Sequence, residues 1–302
     1  MGAFKAYDIR GIYNRDFNAA DVYKIGFFIP RLLKAEKILV GRDVRVSSDE
    51  IFEALCRGIN DAGADVYNTG HATTPMVYFG TANYNFPASV QITASHNPKE
   101  YNGLKISKKN ALPVGYDEGL HQIEQWMQTE KIIPVSAKGK IISFDVKKDY
   151  LQFLLKYKVD TPNLKIAIDC SNGMAGYLIK DVMGNAPLYL YDTPDGTFPN
   201  HEANPLEPEC VEDLQHAVLK NGCDLGAIFD GDADRVMFID EQGKFVSPDL
   251  VIALLGHYFI EEMHQNGNVL HDIRTSKAVS EYLGKMGAKS HMWRVEIGRT
   301  HV

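Results

Sequence analysis

"KILVGRDVRVSSDEIFEALCRGINDAGADVYNTG", residues 37–70, decides the fold class. Residues 37–43 read as a buried strand, apolar through Ile38, Leu39 and Val40. Ser47 and Glu50 then carry the spacing of a capping box, and Phe52, Leu55, Cys56 and Ile59 recur behind it at helical intervals. Gly63 ends that helix, and residues 64–70 resume as a strand. Strands alternating with helices predict α/β layers with largely parallel sheets.

The rhythm continues along the chain. Residues 88–93 and 103–107 read as strands, and 117–128 as a helix burying Leu120, Ile123 and Met127. The pattern weakens over 130–145 and then restarts with a strand at 164–170, a helix at 171–183 and a strand at 186–192. A loop rich in Pro, Gly and Asn covers 192–208, before a helix at 210–222 closed by Asn221-Gly222. Strands at 224–230 and 235–240 follow, the second turning at "EQGK" towards "FVS". A third run holds helix 249–263, strand 268–273 and helix 276–287. The expectation is a set of consecutive α/β domains with mixed, largely parallel sheets, over 1–135, 145–246 and 247–302, the third incomplete.

At 302 residues the chain can bury two or three cores, and its 45% hydrophobic and 24% charged content is that of an ordinary globular protein. A net charge of −7 argues against a nucleic-acid or anionic-membrane partner, which would want a basic stripe. An anionic ligand must be held by local Arg and Lys. Cys56, Cys170, Cys210 and Cys223 are scattered without a C-x-x-C pair, as reduced thiols are. No signal-peptide stretch opens the sequence, and the longest apolar run, 251–260, is too short to span a bilayer. A cytoplasmic protein is expected.

In "LGAIFDGDADRVMFID", residues 225–240, Asp230, Asp232 and Asp234 alternate directly behind an apolar strand. Alternate side chains of extended backbone point the same way, so three carboxylates converge. Their repulsion calls for a hard divalent cation: Mg²⁺ by preference, with Mn²⁺ or Ca²⁺ as other all-oxygen choices. An EF-hand loop would place Glu241 twelfth from Asp230, but it needs Gly where Arg235 stands, and helices where strands are read. A phosphatase of the haloacid dehalogenase type also sets aspartates behind a strand, though without the third Asp and the Arg. An acidic solvated turn is the bland alternative. "DCSNGMAG", 169–176, looks like a phosphate loop but reads as a strand-to-helix turn capped by Ser171 or Asn172.

Ser95, in "SVQITASHNPKEYNGLKIS" (89–107), also follows a strand. Ligands of open α/β sheets gather outside the carboxyl ends of strands, so Ser95 and Asp230 belong to the same edge. Three carboxylates, a divalent ion and a phosphoserine of about −1.5 to −2 sum to roughly −3, which requires cations in a partly dry cleft. Arg235, Lys105 and Arg10 are the candidates, with the "SHNP" turn as a backbone anion nest.

"TASHNP" (93–98), "NGLK" (102–105), "DGDADR" (230–235) and "AYDIRG" (6–11) together resemble the α-D-phosphohexomutases, the phosphomannomutase/phosphoglucomutase superfamily. The resemblance implies domain I with the phosphoserine loop over 1–135, domain II with the metal loop over 145–246, and part of domain III beyond. It implies interconversion of hexose 6-phosphate and hexose 1-phosphate, mannose or glucose, through a 1,6-bisphosphate that reorients. Ser95 would be the phosphoserine and share Mg²⁺ with Asp230, Asp232 and Asp234. Lys105 would be the general acid/base, needing a lowered pKa, and His96 would adjoin the phosphoserine. Tyr7, Arg10, Arg235 and Arg274 would meet the sugar phosphate.

Two features depart from the family. Its late Gly-His pair reads "EIGRTHV" here, with Arg299 and His301, and its sugar-recognition and phosphate-binding loops are not present. The chain is expected to be the front portion of a four-domain mutase. The alternatives are a non-catalytic metal- and phosphate-binding remnant and the haloacid dehalogenase-type phosphatase.

Overall fold

The computed structural model describes residues 2–265 and 267–293; Arg299 and His301 lie outside them. Strand β1 (Ile9–Ile12), helix α1 (Ala19–Leu33), β2 (Lys37–Arg42), α2 (Ser48–Asp61), β3 (Asp65–His71), α3 (Thr74–Asn83), β4 (Ala88–Ile92) and β5 (Tyr101–Lys108) come first. Then follow β6 (Leu112–Pro113), α4 (His121–Thr129) and β7 (Ile141–Ser143). They form one sheet in the order β1-β5-β4-β2-β3-β7, with β6 on β5. Strands β4, β2, β3 and β7 run parallel, whereas β5 turns back antiparallel on β4. Phe52, Leu55, Cys56 and Ile59 of α2 are buried with Ile25, Phe28 and Ile29 of α1 on one face. Leu39, Met76, Val77 and Phe86 pack on the other. The weakly patterned stretch 130–145 supplies β7, which continues this sheet beside β3.

Helix α5 (Lys147–Leu155) leads to β8 (Ile166–Asp169), α6 (Ile179–Met183), β9 (Leu188–Leu190), α7 (Pro208–Asn221), β10 (Leu225–Phe229), β11 (Val236–Asp240) and β12 (Phe245–Val246). The second sheet has the order β12-β11-β10-β8-β9. Val211, Leu214 and Val218 of α7 are buried, and Gly222 closes the helix in the left-handed conformation. Helix α5 joins the sheets, because its Tyr150 shares a cluster with Met76 and with Leu178. Beyond lie α8 (Pro248–His257), β13 (Asn268–Asp272), α9 (Lys277–Lys285) and β14 (Lys289–Trp293), with β13 and β14 parallel. The fold is mixed α/β. No described helix is long and apolar enough to cross a membrane.

Three local expectations are corrected. Ser47 stands at the start of α2 in helical rather than extended backbone and makes no capping bond. It accepts instead from Asn102 Nδ2 at 2.9 Å, so a tertiary donor outcompetes the local motif. The helix expected over 171–183 is a 3₁₀ turn at Met174–Tyr177 followed by the five-residue α6. Gly173 and Gly176 are poor helix formers, and Ser171 and Asn172 both hold left-handed backbone. Neither caps a helix: Ser171 Oγ donates to Phe229 O, and Asn172 Nδ2 to Thr193 O. Helix 117–128 starts later, at His121, because Tyr116–Leu120 form a π turn.

Candidate active site

Strand β4 ends at Ile92 and β10 at Phe229, and the two carboxyl ends face each other. Ser95 lies on the tight turn between β4 and β5, 1% exposed, with φ 53°. That conformation is disfavoured for a residue with a Cβ and is held by its surroundings. Its N–H donates to Thr93 Oγ1 at 2.9 Å, and its hydroxyl donates to Asp230 Oδ2 at 2.7 Å. The contact joins residues 135 apart on two different sheets. Gly231 allows it, since a Cβ there would stand 2.5 Å from Ser95 O.

Asp230, Asp232 and Asp234 converge as alternation on extended backbone predicts, each offering a carboxylate oxygen within 4.8 Å of the others. Asp230 Oδ1 accepts the backbone N–H groups of Asp234 and Arg235, each at 3.1 Å. Burial, then the charges of Asp232 and Asp234, pushes the Asp230 carboxyl well above the ordinary range. Asp232 goes the other way. Its burial is outweighed by Lys105 and by hydrogen bonds from Lys105 and Thr74, so it stays ionised. Asp232 Oδ1 and Asp234 Oδ1 are buried and accept no hydrogen bond. Two such orphaned oxygens, in a cluster that offers only oxygen donors, fit a hard divalent cation. The flanks of this loop are β10 and β11, a hairpin rather than the helix pair of an EF-hand. Asp230 Oδ2 faces the Ser95 hydroxyl, and Oδ1 faces two backbone N–H groups of its own loop.

Lys105, on β5, donates to Asp232 Oδ2 at 2.6 Å and to Asp234 Oδ2 at 2.7 Å. Burial alone would lower its pKa, but the two carboxylates outweigh burial and hold it above the ordinary lysine value. The lowered pKa expected of a general base is therefore not what the geometry provides. Asp232 and Asp234 instead favour the charged form of Lys105.

His96 is pulled down to about pKa 4 by burial, then by Arg235 and Arg10. Its Nδ1 accepts from Arg235 Nη1 at 2.9 Å, which fixes it as the neutral partner, because a guanidinium only donates. Nδ1 lies 3.5 Å from Ser95 Oγ, at the outer limit of a hydrogen bond. Arg10 reaches the same turn, donating to Asn97 Oδ1 at 2.9 Å while pairing with Asp8. Two other expected contacts are not drawn in among the described residues. Tyr7 is 45% exposed. Arg274 pairs with Asp272 on the β13 side of the molecule, at 2.6 Å.

Residues that the sequence reading passed over also build this edge. Thr74, at the start of α3, donates through its hydroxyl to Asp232 Oδ2, and its N–H donates to Asp232 O at 3.1 Å. Tyr78, one turn further, feels Lys105 and Asp232, and burial pushes its hydroxyl up to about 12. Asp43 and Arg45 follow β2 as Asp230 follows β10, and both are buried. A charged pair directly behind an apolar parallel strand was the available signal. In "SHNP" the N–H groups of Ser95 and Asn97 are taken up within the turn, by Thr93 Oγ1 and Ala94 O.

Residues 1–132 match the family model for phosphoglucomutase/phosphomannomutase alpha/beta/alpha domain I, and residues 148–243 match domain II. A phosphomannomutase of Salmonella montevideo is 36% identical over 287 residues, covering 91% of this chain and 62% of its own length. A phosphoglucomutase of Neisseria meningitidis is 34% identical over 298 residues, 96% of this chain and 64% of its own. A solved phosphoglucomutase/phosphomannomutase family protein from Burkholderia thailandensis superposes with a TM-score of 0.88 at 26% identity, over 97% of this chain and 66% of that one. The chain thus spans a little under two thirds of the curated relatives it matches.

Proposed function

Since the chain belongs to the phosphoglucomutase/phosphomannomutase family, we propose that it supplies the phosphoryl-carrying half of a hexose-phosphate mutase. The reaction is the interconversion of hexose 6-phosphate and hexose 1-phosphate, mannose or glucose, by way of Ser95 and a 1,6-bisphosphate. The observation that carries this reading is the 2.7 Å bond from Ser95 Oγ to Asp230 Oδ2 across two sheets. A serine held only for turn geometry has no reason to meet an acidic triplet from another sheet.

Asp230, Asp232 and Asp234 would hold Mg²⁺, with an oxygen on Ser95 completing the set. The ion would supply Lewis-acid neutralisation of phosphoryl oxygens. The chain's own residues position and neutralise, which is most of what phosphoryl transfer requires. The bond from phosphorus to Ser95 Oγ breaks as one forms to the sugar oxygen, and the sugar hydroxyl's proton ends on Ser95 Oγ. Asp230 Oδ2 is placed to accept that hydroxyl afterwards. Lys105 Nζ holds a proton and a positive charge beside the transferring group. Arg235, steadied by neutral His96, adds a second charge at the same turn. Arg10 anchors Asn97 from the other side.

Intact-mass measurement is expected to find one phosphate on the chain, mapping to Ser95 and absent from Ser95→Ala. A phosphate at Asp230 would favour the haloacid dehalogenase-type reading, and one at any other position would sink the assignment. Assay with a bisphosphorylated sugar primer, Mg²⁺ and hexose phosphate tests turnover. Turnover by the chain alone rules out a non-catalytic remnant.

A further inference from the structure

The Ser95 turn is gripped from behind by one buried cation. Arg45 is 2% exposed, and every N–H of its guanidinium has an acceptor. Nε donates to Asp43 Oδ2 at 3.2 Å. Nη1 donates to the carbonyls of Pro98, at 2.7 Å, and Tyr101, at 3.0 Å. Nη2 donates to the carbonyls of Ser95, at 2.8 Å, and Asn97, at 2.6 Å. Four carbonyls of one turn therefore converge on a planar fork, which a lysine, with a single nitrogen, cannot reproduce. Burial, the largest influence, lowers the pKa of Arg45, opposed by Asp43 and Asp232.

The second sheet closes over the same residue. The backbone of Arg45 bridges to Gly196, where a Cβ would lie 2.0 Å from Val44 O. The Phe198 ring covers the guanidinium, its centroid 5.1 Å from Arg45 Cζ. Gly196 and Phe198 belong to the loop between β9 and α7, so Arg45 touches both halves of the site. The Ser95 carbonyl that Arg45 holds is the group packed against Gly231 of the acidic loop.

We propose that Arg45 is the positioning residue of the phosphoryl-carrying serine: its fork holds the 95–101 turn, and the left-handed backbone of Ser95 in it, so that Oγ faces Asp230. Arg45 meets neither phosphate nor metal in this role. It acts through backbone carbonyls alone. The proposal rests on Ser95 being the phosphoryl carrier.

The test follows entry of label into Ser95 of the 302-residue chain from radiolabelled glucose 1,6-bisphosphate with Mg²⁺. A bond forms from phosphorus to Ser95 Oγ, one ester bond of the bisphosphate breaks, and the serine proton passes to the freed sugar oxygen. Wild type, Arg45→Lys, Arg45→Ala and Phe198→Leu are compared. A turn displaced by about 1 Å predicts labelling of Arg45→Lys and Arg45→Ala slowed about 100-fold. Phe198→Leu, which removes only the ring over the fork, should slow it several-fold. Millimolar guanidinium should restore the rate of Arg45→Ala without raising its melting temperature, which a purely structural role would not give. Mg²⁺ affinity by calorimetry should fall far less than the labelling rate, because the three aspartates sit on the other sheet.

Labelling of Arg45→Lys within about two-fold of wild type overturns the proposal. So does a loss in Arg45→Ala that follows its loss of folded protein and ignores guanidinium. Should Arg45→Ala not fold, Arg45→Lys and Phe198→Leu decide the matter by the same criterion. Wild-type chain that carries no phosphate at Ser95, neither resident by intact mass nor entering as label, instead refutes the phosphoserine reading, and this proposal with it.

Discussion

Gly231→Ala should separate the two halves of the site without touching a charge. A Cβ at 231 would lie 2.5 Å from Ser95 O, where ordinary contact begins at 3.4 Å, so about 0.9 Å must open between the loops. Neither side yields cheaply, since Ser95 O is tied to Arg45 and the 231 backbone sits between two buried aspartates of the acidic loop. Overpacking of this kind costs about 1–3 kcal/mol. At about 2 kcal/mol, the transition that melts the sheet interface should fall by about 4–8 °C. The 2.7 Å bond from Ser95 to Asp230 would stretch beyond hydrogen-bonding range, and labelling of Ser95 should slow about 100-fold. Gly284→Ala, on α9 with nothing within 4 Å of its Cβ, is the control and should label like wild type. Calorimetric melting together with the labelling rate checks this. If Gly231→Ala melts and labels as Gly284→Ala does, the close packing of the loops does not set the site.

Asp230→Asn removes one of three crowded carboxylates, so the metal-free variant should melt no lower than wild type while losing its response to Mg²⁺. Wild type in Mg²⁺ at a hundred times its Kd should gain about 2.7 kcal/mol, and an equal gain in the variant would remove Asp230 from the ligand set. His201 offers a pH test away from the acidic cluster. Burial pulls its pKa down, but its hydrogen bond to Asp169, 3.2 Å away, and that carboxylate's charge raise it above 6.5. A raised pKa stabilises fully below pH 6.5, and the contribution fades as pH climbs through the folded-state value. His201→Gln should therefore flatten stability against pH in that upper window; an unchanged slope in urea titrations would exclude the pair as its source.

What the sequence disclosed and what it hid follow from range. Asp230, Asp232 and Asp234 were legible because alternation on extended backbone sets direction locally, and Ser95 because it follows the carboxyl end of an apolar strand, as Asp230 does in the other sheet. Arg45 was legible only as half of a charged pair behind a strand, since its partners are carbonyls of residues 95–101 and carbonyls leave no mark in a sequence. The Ser47–Glu50 motif misled because Asn102, 55 residues on, competed for the hydroxyl. The broken helix after β8 turned on Ser171 and Asn172, whose left-handed backbone depends on bonds to Phe229 and Thr193. The charge state of Lys105 required knowing that both its neighbours are carboxylates of the other sheet.

All strands of the first sheet lie within residues 9–143, ahead of β8 at 166. During synthesis at ordinary speed the ribosome needs about 7–27 s to travel the 135 residues from Ser95 to Asp230. Over that interval the nascent serine turn can already be shaped by Arg45, which precedes it, while its acidic partner does not exist. The order in which the chain emerges therefore keeps the serine turn and the carboxylate it meets apart until the second sheet exists.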